Sequence, residues 1–212
     1  MVSQTRSITR KDAVRSREKL GNQKKPNRVI AIASSMGGIE ALKTVVENLP
    51  SDFPGAIIIV QHLSPEYKSH LTQILNRSHT LQVNEASEGM ELCAGNIYVA
   101  TPNKHLIVNQ DGTLSLSDAP KEHFVRPSAE YTFRSLASSY QEKAIAVVLT
   151  GCDGDGERGV QIIKKMGGKV IAQDRETSQV FSMPESAIKT GCVDLILPLD
   201  EIVDGIVNMV FN

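Results

Sequence analysis

The sequence predicts an α/β fold: a doubly wound, mainly parallel sheet with helices on both faces and a small antiparallel hairpin excursion. Three observations predict it. From residue 28 onward, short apolar runs alternate with segments of helical period. The runs are apolar at consecutive positions, as strands covered on both faces require. The alternation breaks around residues 80–118, read as an antiparallel excursion, where strand-like pieces follow one another with no helix between them.

The elements follow in order. "RVIAIAS" (28–34) reads as a buried strand, and residues 39–49 as a helix with Ile39, Leu42, Val45, Val46 and Leu49 on one face. Pro50 and Pro54 mark the turn into a second buried strand, "AIIIVQH" (56–62). A helix over 69–77 precedes the short pieces "LQVNEA", "NIYVATP" and "HLIVNQDGTLSLSD", the last a hairpin turning at Asp111-Gly112. Then come a helix (128–141), a strand (144–151), a helix ending on glycine (158–167) and a strand (169–174). Helices at 184–191 and 199–211 close the chain around a short "CVDLILP".

Composition sets the class. With 212 residues, 41% hydrophobic and 22% charged, the chain is long enough for one sizeable core. No run approaches the roughly 20 apolar residues of a membrane span, and the first twenty residues lack the apolar centre of a secretion signal, so a cytoplasmic protein is expected. Cys93, Cys152 and Cys192 are widely spaced and form no CxxC pair, which speaks against a disulfide framework or a zinc site. Residues 1–28 hold nine Lys or Arg against Asp12 and Glu18, leaving 14 basic and 22 acidic residues in the remainder. Residues 1–27 therefore read as a basic, flexible leader, and 28–212 as the folded domain. For that leader a solvated role or an acidic partner is favoured over nucleic acid.

The joint "SSMGG" between the first strand and helix raises the functional question. In a doubly wound sheet the strands deliver their carboxyl ends to one edge, where ligands and catalytic groups collect. A serine hydroxyl acts as a nucleophile only beside a base, with a group to orient that base and donors for the oxyanion. Ser34 or Ser35 ends one strand, His62 ends the next, and Asp153 or Asp155 follows a third in "AVVLTGCDGDGERG". The helix start after Gly38 supplies backbone N–H groups. The joint has neither GxGxxG spacing nor a P-loop lysine, and "DGDGERG" lacks the acids of a calcium loop.

These residues also carry a resemblance. "IASSMGGIEAL" resembles the "IGASTGGTEAL" signature of the CheB family, the chemotaxis protein-glutamate methylesterases. "IVQHLSPEYKSHLTQIL", "EGMELCAGNIYVATPNKHL", "VRPSAEYTFRSLA", "VVLTGCDGDGERG" and "VIAQDRETSQVFSMPESAIKTGCVDLILPL" resemble further motifs of that family in unbroken order, over about residues 28–206. The resemblance implies Ser35 as nucleophile, His62 as general base and Asp155 as the acid that orients it. It implies hydrolysis of glutamate methyl esters on a methylated chemoreceptor or receptor-like protein, glutamine deamidation in some members, and no metal or organic cofactor. A base that works only when neutral implies activity rising near an ordinary imidazole pKa of about 6.5.

Several positions depart from the family pattern. Ser34 stands where alanine is common, Met36 replaces a threonine, Cys152 a methionine, Asp153 a glycine, and Ser182 a glycine. Family members in chemotaxis commonly carry a receiver domain ahead of the esterase, and the 28 residues here are too few for one. A freestanding catalytic domain, open or controlled by a separate regulatory partner, is the expectation. Two alternatives remain: a catalytically weak regulatory or binding module on this fold, and an esterase or deamidase with an unrelated target.

Around the site, Asp174 is the rival partner for His62. His105 is expected to be structural or at the rim, and His70, His79 and His123 to face water. Arg126 could meet a receptor carboxylate or pair within the fold. Phe181 and Met183 read as packing residues beside the site.

Overall fold

The computed structural model describes residues 24–63, 69–78 and 80–211. The leader therefore lies, up to residue 23, outside the described residues, as does His79.

The strands and helices in chain order are β1 (Val29–Ser34), α1 (Gly38–Asn48), β2 (Ala56–Gln61), α2 (Leu71–Leu75), β3 (Gln82–Glu85), β4 (Asn96–Val99), β5 (His105–Val108), β6 (Leu114–Ser117), α3 (Ala129–Tyr140), β7 (Ala144–Val148), α4 (Glu157–Lys165), β8 (Lys169–Gln173), α5 (Ser182–Lys189), β9 (Leu195–Leu197) and α6 (Ile202–Phe211). Seven strands form one sheet in the order β3-β4-β2-β1-β7-β8-β9, every neighbouring pair parallel. Strands β5 and β6 form a separate antiparallel hairpin.

Alternation along the central strands builds two apolar layers. Val29, Ala31 and Ala33 face α3, α4 and α5 through Phe133, Leu136, Val160, Ile163, Met183 and Ala187. Ile30, Ile32, Ile57 and Ile59 face α1, α2 and α6 through Leu42, Val45, Val46, Leu71, Ile202 and Ile206. Burial on both faces explains why β1, β2 and β7 read as unbroken apolar runs.

One expectation needs correcting. Residues 80–118 are not wholly an antiparallel excursion, because β3 and β4 extend the main sheet in parallel, Gln82 opposite Asn96 through Glu85 opposite Val99. Each is four residues long and no helix joins them, so they lack the long crossover that marks a parallel pair in a sequence. The antiparallel part is the hairpin around Asp111-Gly112, which packs on α3 through Thr132 Oγ donating to the Leu106 carbonyl at 2.8 Å.

The chain runs from β1 to β2 on one side and later returns to β7 on the other. The order reverses at β1, and the crevice at the carboxyl ends there is where such sheets place ligands.

Candidate active site

Ser35 follows the last residue of β1. Its backbone N–H donates to the Thr150 carbonyl at 3.0 Å, tying it to the end of β7. The turn after it needs glycine twice. Gly37 has φ 77°, the left-handed region, and at Gly38 a Cβ would lie 2.2 Å from Gln61 Oε1. Gly151 lets the β7 loop abut the serine: a Cβ there would lie 2.8 Å from Ser35 Cβ and 2.2 Å from Met183 Sδ.

His62 follows β2, its N–H donating to the Ser34 carbonyl at 3.1 Å. Its Nε2 lies 2.7 Å from Asp155 Oδ2, with the imidazole 8% exposed and the carboxyl wholly buried. A carboxylate can only accept, so the proton sits on Nε2 and the Nδ1 lone pair is left free. Nδ1 is buried and has no hydrogen-bond partner among the described residues. Ser35 and His62 line the same cleft of about 380 Å³, together with Met36, Gly37, Ile39 and Gln61. A larger cavity of about 520 Å³ lies among Lys25, Glu91, Asp111 and Glu142, at the opposite, amino-terminal ends of the strands.

Asp155 is held from a third direction. Ser128 Oγ donates to Oδ1 at 2.5 Å, and the N–H groups of Ala129 and Glu130 reach Oδ2 and Oδ1 at 2.6 and 3.2 Å. These donors are the start of α3, whose free N–H groups and dipole favour an anion. Burial pushes the Asp155 carboxyl up, but the His62, Ser128 and Ala129 hydrogen bonds outweigh it and hold the group below the usual carboxylate range. Glu130 beside it goes the other way. Burial raises its carboxyl although Oε1 accepts the Arg158 N–H at 2.8 Å.

The surrounding residues sort themselves. Asp174 is spent on the Thr177 N–H and hydroxyl and is not the partner of His62. Asp153 is exposed and accepts the Asp155 N–H at 2.9 Å within the turn. His105 is buried and structural, accepting the Ser128 N–H at Nδ1, donating from Nε2 to the Pro120 carbonyl, and stacking on Tyr131. Arg126 pairs within the fold, with Asn103 and the Asp118 and Ala119 carbonyls. Met183 is buried against Gly151, whereas Phe181 is half-buried beneath the Arg175 guanidinium. His70 and His123 are exposed. Two supporting residues escaped the sequence reading, Ser128 and Gln61. The sequence reading placed Ser128 at the first position of a helix, whereas it caps that helix, and nothing in its position named Asp155 as its target.

The described residues contain no cluster of three or more His, Cys, Asp or Glu that could hold a metal ion, and no helix long and apolar enough to cross a membrane.

Comparison with known proteins adds an independent line. A protein-glutamate methylesterase/protein-glutamine glutaminase 2 of Methanosarcina acetivorans is 38% identical over 192 residues, 87% of this chain and 54% of that protein. The chain spans about half the length of several such relatives, but 91% of one from Leptospira interrogans, also 38% identical over 175 residues. The crystal structure of the Thermotoga maritima CheB methylesterase catalytic domain superposes with a TM-score of 0.83 at 37% identity, covering 86% of this chain and 98% of that one. The CheB methylesterase family model matches residues 30–206, from the second residue of β1 into α6. Sequence and fold agree over the same stretch, and the chain belongs to the CheB methylesterase family.

Proposed function

We propose that this protein hydrolyses glutamate γ-methyl esters on a chemoreceptor-like protein in the cytoplasm, releasing methanol, and that the same site can release ammonia from glutamine. The observation that carries the reading is the His62–Asp155 hydrogen bond, which leaves Nδ1 buried and unpartnered among the described residues, on a histidine that lines the same cleft as Ser35. The names of its relatives support the substrate class.

Ser35 Oγ attacks the ester carbonyl carbon while its proton passes to His62 Nδ1. Asp155, ionised at neutral pH, orients the ring and stabilises the imidazolium as it forms. The helix-start amides near Met36 and Gly37 receive the oxyanion. Collapse expels methoxide, which takes the proton from Nδ1 and leaves as methanol. Water then attacks the acyl-enzyme, giving one proton to Nδ1; Ser35 leaves with that proton, and the glutamic acid product loses its own proton to solvent as the carboxylate.

The test is methanol release from a methylated receptor incubated with the full chain. Release that Ser35→Ala abolishes is expected. Release that never exceeds the Ser35→Ala control would overturn the substrate assignment.

A further inference from the structure

We infer that Ser34 and Gln61 form a clamp that sets the nucleophile against the base, making Gln61 a positioning residue for the reaction. The inference rests on the roles proposed above for Ser35 and His62.

The two residues are register partners at the carboxyl ends of β1 and β2. By strand alternation they share the face occupied by Ile30, Ile32, Ile57 and Ile59. Ser34 is fully buried and Gln61 is 4% exposed. A polar pair in such a layer is costly unless its hydrogen bonds are made, and here they are. Ser34 Oγ donates to Gln61 Oε1 at 2.6 Å. Gln61 Nε2 donates to the Ser35 carbonyl at 2.8 Å and to the His62 carbonyl at 2.9 Å. Reversing the carboxamide would set its oxygen against both carbonyls, so the network fixes its orientation.

One side chain thus holds the backbone of both residues that must exchange a proton. An apolar residue of equal size would fill the space without tying the two strand ends. The clamp also explains the glycine that opens α1. A Cβ at Gly38 would fall 2.2 Å from Gln61 Oε1, 2.7 Å from Ser34 Cβ and 2.9 Å from Ser34 Oγ. The helix can begin close over the nucleophile only because nothing projects from residue 38 into that pair.

The experiment uses the full chain with p-nitrophenyl acetate as substrate and a fluorophosphonate to count reactive serines. Gln61→Met is expected to lower kcat about 10- to 100-fold with KM little changed, because small misplacements of reacting groups are that costly. The number of serines labelled per chain should hold while the labelling rate falls. Ser34→Ala should lower kcat by less, and should add nothing to Gln61→Met, the signature of one coupled unit. A full kcat per labelled serine in Gln61→Met overturns the clamp, as does a loss confined to the labelled fraction, which is what a purely folding role gives. Should Gln61→Met not fold, Ser34→Ala decides, and an unchanged kcat there overturns the inference. Turnover that survives Ser35→Ala would instead overturn the active-site reading.

Discussion

Ser128 Oγ stands 2.5 Å from Asp155 Oδ1, joining the cap of α3 to the acid that holds His62. The same oxygen accepts the Glu130 N–H at 3.2 Å, so one hydroxyl both starts a helix and anchors a carboxylate 27 positions away. Loss of that oxygen is felt in folding and in the orientation of the base.

Ser128→Ala is therefore expected to destabilise the fold by about 1–3 kcal/mol, the range for a lost cap and a lost hydrogen bond to a charged group. Urea unfolding at neutral pH measures it. Turnover should fall as well, because Asp155 loses one of the donors that fix its plane.

Asp155 makes stability depend on acid in a defined direction. Its folded pKa lies below the unfolded value of about 3.9, so its contribution is complete above that value and is lost as pH falls through the folded one. Asp155→Asn should be less stable than the native chain by about 2–3 kcal/mol at pH 7. The gap should narrow below about pH 4, where the unfolded carboxyl takes up a proton before the folded one does. Denaturant midpoints across that range test the sign.

His105 acts at higher pH. Burial pushes its imidazole below the usual value, against the Pro120 carbonyl, which favours the charged form. The unfolded chain takes up this proton near pH 6.5 while the folded one does not, so stability declines as pH falls through that value. His105→Gln should flatten this part of the profile and leave the Asp155 part below about pH 4 in place.

Gly38→Ala is expected to reduce turnover about tenfold or more while the chain still folds, since the added methyl must displace Gln61 or Ser34. Esterase rates beside thermal unfolding check both halves of this expectation.

Much of this was legible in the chain. The strand ends just before Ser35 and at or just before His62 follow from apolar runs that stop at a polar residue, and local patterning governs such boundaries. Asp155 was legible only as one of two acids after a third strand, until the resemblance chose between them. The contacts that support the site were not legible, because they pair residues far apart in sequence. Ser128 and Asp155 belong to different loops, and Gln61 reads as an ordinary polar end to a strand. The β3–β4 pair was missed for a related reason: its parallel register depends on three-dimensional closure against β2, and four-residue strands leave little periodicity to read.

The central claim is that Ser35 is activated by His62, and fluorophosphonate labelling with the adduct located by mass spectrometry tests it most directly. The account predicts a single adduct on Ser35, absent from Ser35→Ala and formed at least about 100-fold more slowly in His62→Ala. Labelling that persists in Ser35→Ala, or that proceeds at the native rate without His62, would contradict it.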